Sequence, residues 1–550
     1  MSERSEQEAS ANIQDRSSKD QMVIGSAWMT AGSIFSRILG AIYVIPWSIW
    51  FGSYFLQGNA LYGKGYNIYS FFLLAAIAGV PSAIAKQVAH YNALNEYGIG
   101  VRLYKRGLVL AVITGVLSAV ILYFGAPLLT GGDPNVIPVL HSLAWAILVI
   151  PAMSLTRGYF QGYQQMAPSA ISQFVEQVAR VIYMLVTAFL IMRVWHGSWV
   201  TAVSQSTFAA FIGAIAGFLI LGVYYVKRRS VFTGYIENSN NDLVVSGKEL
   251  YREIISQAVP FIILGAGITI FQLIDQYTFF PVMKMAGSYT MARLNDFYAL
   301  FAANSNKLIM ITVSLSSALA IAAVPLLSEA FTRGDKQDVR RQISDALLLF
   351  MFVMLPSALG MAAVARPLNI LFYGQAEEAL GSSVLAFSSY VSILLGLFTV
   401  MSAVMQGISQ NKLAVRYFAI GTGVKLLLQW PAIYFLGTFG PLAATLVGLG
   451  VTCLLILRSL HLQFGLSFNP IANKANQILG LSIATFVIAR LLVLLVGIFG
   501  RYGRIASMVA LIIAVAGAAG FYIYMVLRTR LADEIMGPRV GAFRRILHIK

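Results

Sequence analysis

A single cysteine, Cys453, stands in a chain of 550 residues, so no disulfide forms within it. The histidines His90, His141, His196, His461 and His548 lie too far apart to make a ligand set, and no structural metal is expected. Motifs of chemistry are missing too. Gly63-Lys64 and Gly247-Lys248 lack the rest of a phosphate loop, which excludes that kind of ATP-driven engine. There is no H-E-x-x-H, no serine elbow and no pair of loop carboxylates, so nothing marks an enzyme. Charged residues make up only 11% of the chain, and the longest polar stretches are residues 1–20, Lys227 to Arg252 and the last two dozen residues. That leaves no room for a sizeable soluble domain.

What remains is apolar. With 58% hydrophobic residues and a mean hydropathy of +0.74, the chain reads as an all-α polytopic membrane protein. Stretches long enough to cross the ~30 Å hydrocarbon core recur fourteen times, at 22–51, 65–90, 105–130, 136–160, 168–192, 199–226, 254–284, 296–328, 342–372, 383–409, 412–436, 440–463, 475–499 and 504–528. Most of the 39 lysines and arginines fall in the two tails and alternate loops; only Lys64, Arg193, Lys284, Arg293, Arg501 and Arg504 fall in the opposite loops. The positive-inside rule then places both termini in the cytoplasm, and the net charge of +17 reflects loops facing anionic lipid rather than nucleic acid.

The segment Phe160 to Arg180, FQGYQQMAPSAISQFVEQVAR, is echoed without a gap 245 positions later by MQGISQNKLAVRYFAIGTGVK, Met405 to Lys425. Gln161, Gly162 and Gln165 recur as Gln406, Gly407 and Gln410, and Arg180 recurs as Lys425. Val80-Pro81 matches Val324-Pro325 in the same order. A duplication of six helices follows, with two further helices outside it. The expected division is a tail at 1–21, an N-terminal lobe of six helices at 22–226, a basic loop at 227–253, a C-terminal lobe of six helices at 254–463, the two added helices at 464–530 and a basic tail at 531–550.

A cation near the middle of a membrane helix costs about 2.5 to 3.5 kcal/mol on insertion scales. Arg37, Arg180 and Lys425 are therefore expected to face a wet cavity that binds an anion. For Arg180 the alternative is an i,i+4 pair with Glu176; at the repeated site Gly421 replaces that carboxylate, which leaves an excess of positive charge. Asp275 and Glu176 are the main carboxylates within spans, and each would either bind a coupling Na⁺ or H⁺ or neutralise a neighbouring cation.

FSRILG at Phe35 to Gly40, AGVPSAIAK at Ala78 to Lys86, RGYFQGYQQMAPSAISQFVEQVAR at Arg157 to Arg180 and the count of spans together resemble the multidrug, oligosaccharidyl-lipid and polysaccharide (MOP, MATE-like) exporter superfamily, within it the YtgP/SpoVB-like polysaccharide-biosynthesis branch. The resemblance implies two V-shaped six-helix lobes around a basic cavity and a groove at helices 13 and 14 for an isoprenoid tail. The implied activity is flipping of lipid II, the undecaprenyl-pyrophosphate-linked peptidoglycan precursor, across the bacterial cell membrane by alternating access. Carried over, Arg37 and Lys307 become head-group cations and Arg490 marks the tail groove. Some members bind Na⁺ with carboxylates of helices 7 and 11; Asp275 suits the first, while Arg416 to Trp430 offers none for the second. No cofactor is implied, and Na⁺, H⁺ or the membrane potential are left as energy sources. The implied partners are the lipid-linked saccharide, the membrane and the cell-wall synthesis machinery. Competing readings are a flippase for another lipid-linked glycan, a drug-cation antiporter, which a cationic cavity disfavours, and an integral membrane transferase.

Overall fold

The computed structural model describes residues 39–40, 42–77, 80–163, 165–237, 239, 262–466, 469–498, 503–536 and 544; Arg37 lies outside them. In chain order the helices are α1 (Val44–Phe51), α2 (Phe55–Ile77), α3 (Val80–Ala93), α4 (Tyr97–Phe124), α5 (Val136–Gly162), α6 (Met166–Phe189), α7 (Trp199–Lys227) and α8 (Arg229–Glu237). The later half continues with α9 (Gly267–Ala286), α10 (Met291–Tyr298), α11 (Asn306–Thr332), α12 (Lys336–Ala363), α13 (Ala365–Tyr373), α14 (Glu378–Gly407), α15 (Asn411–Leu436), α16 (Gly440–Phe464), α17 (Asn469–Ile498), α18 (Arg504–Arg528) and α19 (Leu531–Met536). No strand occurs among the described residues. Nine helical stretches among them are long and apolar enough to cross a membrane, one being Asn411–Phe464, which holds both α15 and α16.

Helix α4 buries mainly small residues and exposes large ones. On α4 the packed face carries Gly107, Ala111, Gly115 and Ala119, while Val109, Ile113, Leu117 and Phe124 point outward. A soluble helix does the reverse. Lipid solvates Val and Leu as well as a protein core does, so close backbone approach is what holds such helices together. A Cβ on Gly115 would sit 3.0 Å from the carbonyl oxygen of Ile147 on α5.

The chain divides into two compact units, one of Met1–Tyr43 with Lys64–Ile262 and the other of Val44–Gly63 with Ile263–Lys550. In the first, α5 packs against α3, α4 and α7, and α6 packs against α7. In the second, α14 packs against α11, α12 and α16, and α15 packs against α16. Those are the repeat-related pairs, so the internal duplication of the sequence is a duplication of packing. It also explains the repeated Gln-Gly. A Cβ on Gly162 would lie 2.7 Å from Cβ of Val88, and one on Gly407 would lie 2.9 Å from Cβ of Leu327. Each glycine permits a close approach of two helices in its own unit.

Helices α17 and α18 pack on each other, α17 also on α12 and α18 on α13. An apolar cavity of about 570 Å³ opens among α12, α17 and α18, walled by Phe352, Pro356, Gly360, Ala489, Ala518 and Tyr522.

The expected spans from 136–160 onward agree with helices to within a few residues wherever the chain is described. The start differs. The loop expected between residues 51 and 65 is largely helix, because α2 begins at Phe55 and runs through Lys64. Lys64 is buried, its ammonium 2.8 Å from the Asp133 carboxylate. Hydropathy alone reads Asn59 to Asn67 as too polar for a membrane helix, whereas the fold pairs those polar groups internally.

Candidate functional site

Three clusters of charge lie inside apolar helices. The first surrounds Lys307, the second residue of α11. A π-helical stretch, Ala299–Ser305, precedes it. Such widened turns release backbone acceptors, and the hydroxyl of Tyr373 donates to the Asn304 carbonyl at 2.7 Å. The Asn304 side-chain oxygen accepts from the amide of Asn59. Lys307 Nζ donates to Asn59 Oδ1 at 2.5 Å and lies 4.8 Å from the ring centroid of Tyr62 and 5.8 Å from that of Trp47. An amide oxygen and two π faces stabilise an ammonium without cancelling its charge. Lys307 is thus held in a seat formed by Asn59, Tyr62 and Trp47.

The second cluster joins α5 and α6. Glu176 accepts from Arg180 at 2.7 Å and from Arg157 at 2.8 Å. Arg157 also donates to Ser172 Oγ at 2.8 Å, and Ser172 donates to the Gly217 carbonyl at 2.9 Å. Arg180 reaches the Tyr66 hydroxyl at 3.4 Å. The i,i+4 pair weighed for Arg180 is thus present. Arg157, counted on the sequence with the loop near residue 165, is an added member that sequence reasoning missed, since nothing in residue spacing brings positions 157 and 176 together across a helical hairpin. Two guanidiniums share one carboxylate, and the cluster keeps a positive excess.

The third cluster is closed. Lys425 on α15 is fully buried, and its ammonium donates to Asp275 Oδ1 at 2.6 Å and to Thr445 Oγ1 at 2.6 Å. The Pro441 carbonyl oxygen lies 3.5 Å away and the Phe271 ring 5.0 Å. Gln429 Nε2 donates to Asp275 at 2.8 Å and to Thr278 at 3.0 Å. Lys425, expected to face a wet cavity in positive excess, is instead neutralised by a carboxylate 150 positions away on α9. Asp275 in this state does not fit a bound Na⁺, because an ammonium already stands against its carboxylate and a second cation there would meet like charge. Among the described residues no group of three or more His, Cys, Asp or Glu could hold a metal ion.

Arg490, expected at a tail groove, is on α17 next to the cavity-lining Ala489, and its guanidinium lies 3.5 Å from the Ala363 carbonyl. That carbonyl ends α12, where a cation complements the helix dipole.

An all-helical bundle of duplicated halves, with charges held inside apolar helices and an apolar cavity against its added pair of helices, is the build of a multi-pass membrane transporter. The chain belongs to the polysaccharide biosynthesis protein family, which it matches over residues 22–331. It is 34% identical over 544 residues to the lipid II flippase MurJ of Bacillus subtilis (strain 168), covering 96% of this chain and 99% of that one. The fold is shared with an inward-facing MATE-family multidrug resistance transporter of the MOP superfamily, at TM-score 0.63 and 14% identity over 78% of this chain and 94% of that one. It is also shared with a lipid II flippase MurJ in an inward closed conformation, at TM-score 0.60 and 14% identity over 90% of this chain and 98% of that one.

Proposed function

We propose that this chain is a lipid II flippase, carrying undecaprenyl-pyrophosphate-linked peptidoglycan precursor from the cytoplasmic to the outer leaflet by alternating access. The end-to-end similarity to the flippase of B. subtilis, 34% identical over 96% of this chain, carries the reading. The local chemistry is in keeping with it. A pyrophosphate needs fixed cations, and Lys307 on its aromatic seat, Arg37 and the positive excess at Arg180 are the residues we assign to it. Lys425 we assign to Asp275 rather than to substrate. A polyprenyl tail needs apolar surface, and the cavity among α12, α17 and α18, with Arg490 at its side, is the place we assign to it. In this reading the six-helix lobes at 22–226 and 254–463 move against each other, both termini face the cytoplasm, and the enzymes that make and polymerise lipid II are the working partners.

The test is depletion in the native organism with lipid II measured in each leaflet. Lipid II should accumulate on the cytoplasmic side, and the wild-type chain should reverse this. Lys307→Ala and Arg37→Ala, present at normal membrane levels, should not, while Lys307→Arg should. An unchanged lipid II distribution, with a different lipid-linked saccharide trapped inside, would replace lipid II with that substrate.

A further inference from the structure

The Lys425 cluster has the donor set of an alkali-cation site. A carboxylate, a hydroxyl and a backbone carbonyl converge on one point from α9 and α16, with the ring of Phe271 behind it. Hard oxygens that can all accept at this point suit Na⁺ or K⁺, and they suit an ammonium, which carries the same single charge and only donates. The convergence point is filled by Lys425 Nζ. We propose that this ammonium is the resident cation of the Asp275 cage, a tethered ion in place of a free one, so that neither the fold nor the working cycle of this chain uses Na⁺ at that position.

The packing is built to the lysine. A Cβ on Gly448 would fall 2.9 Å from Cβ of Lys425 and 3.3 Å from Cε2 of Phe271, so α16 closes directly over the lysine stem. Gln429 donates to the same carboxylate oxygen that Lys425 meets, Asp275 Oδ1. A free ion would enter and leave such a cage by exchange, and its occupancy would follow the ion gradient. A tethered ammonium has constant occupancy, and Asp275 keeps its counter-charge whatever the salt.

The experiment uses the purified full-length chain and reads thermal unfolding, which does not involve the lipid substrate and so stands apart from the flippase reading. In NaCl, KCl and choline chloride of equal ionic strength the wild-type Tm should agree to within about 1 °C, since an ion that does not bind the native state does not stabilise it. Lys425→Ala should be weakened in choline and regain a saturable increment of about 3 °C or more in NaCl or KCl. The double variant Asp275→Asn with Lys425→Ala should show no such ion preference. A saturable, Na⁺-specific rise in the wild-type Tm would overturn the proposal, and this measurement needs no variant to fold. Equal Tm values for Lys425→Ala in all three salts would also overturn it. Should Lys425→Ala not be recoverable, Lys425→Met takes its place; recovery in NaCl or KCl alone supports the cage, and failure in every salt while the double variant is recovered rejects it.

Discussion

Arg180 and Lys425 occupy the same place in the two repeats, and the packing around them shows it. A Cβ on Gly213 of α7 would meet the Glu176 carbonyl oxygen at 2.6 Å and Cβ of Arg180 at 3.1 Å; one on Gly448 of α16 would meet the Gly421 carbonyl oxygen at 2.8 Å and Cβ of Lys425 at 2.9 Å. Around that common contact the two halves exchange large for small. In the first, Glu176 fills the space opposite Gly217; in the second, Gly421 makes room for Thr452, whose Oγ1 would be 1.9 Å from a Cβ at 421. One duplication has thus given two kinds of charge site. The Arg180 site is partly exposed, net positive and redundant, because Glu176 has two arginines. The Lys425 site is enclosed and neutral, with one ammonium answering one carboxylate. The first suits contact with an anion and the second suits holding helices together.

The sharpest way to break this comparison is to remove each cation. Lys425→Ala removes the counter-charge of the buried Asp275, a loss of about 3–5 kcal/mol for a buried pair broken on one side. Arg180→Ala leaves Glu176 bridged to Arg157 in a partly exposed setting, where a single ion pair contributes about 1 kcal/mol or less. Denaturant or thermal unfolding of the two variants should order them so, with Lys425→Ala also depleted from membranes. Equal losses would mean that the two sites are energetically alike and that the exchange of Glu176 for Gly421 has no consequence.

A second, intermediate effect concerns the exchanged small residues. Gly421→Ala forces a Cβ to within 2.4 Å of the Gly448 backbone oxygen as well as onto Thr452, so a helix must move. Overpacking of this kind costs about 1–3 kcal/mol. Gly217→Ala brings a Cβ only to 3.1 Å from Glu176 Cβ and from the Ser172 carbonyl oxygen, a crowding that small shifts relieve. Its cost should be the smaller of the two. Thr452→Ala should rescue Gly421→Ala in part, because the hydroxyl clash goes and the backbone one stays. Full rescue would show that Thr452 alone closes the second site.

Residue pattern made some of this legible and hid the rest for definite reasons. Long apolar runs located the helices, and the repeated Gln-Gly at Gln161 and Gln406 found the duplication, because both signals are local in sequence. The pair of Glu176 with Arg180 was legible as an i,i+4 spacing. The partner of Lys425 was not: Asp275 lies on another helix, and no periodicity links positions 275 and 425. Arg157 and Lys64 were misread as loop charges for a related reason, since hydropathy assigns a charge to water unless its counter-charge is seen, and the counter-charges come from Glu176 on a neighbouring helix and from Asp133 in the turn before α5. The apolar cavity needed three helices in place before it existed.

The smallest expected effect is also the most discriminating. Arg180→Lys keeps a cation within reach of Glu176. Stability should change by about 0.5 kcal/mol or less. If Arg180 acts only through its charge, as the lysine at the repeated site allows, flipping should persist near the wild-type rate. A guanidinium that grips a pyrophosphate in two parallel hydrogen bonds cannot be replaced by an ammonium. Loss of flipping in Arg180→Lys, with unfolding unchanged, would therefore place the arginine fork itself on the substrate and make the two repeat-related cations different in chemistry as well as in partners. Retained flipping that fails only when Arg157→Ala is added would show instead that the positive excess of the cluster, and not one particular side chain, is what the anion meets.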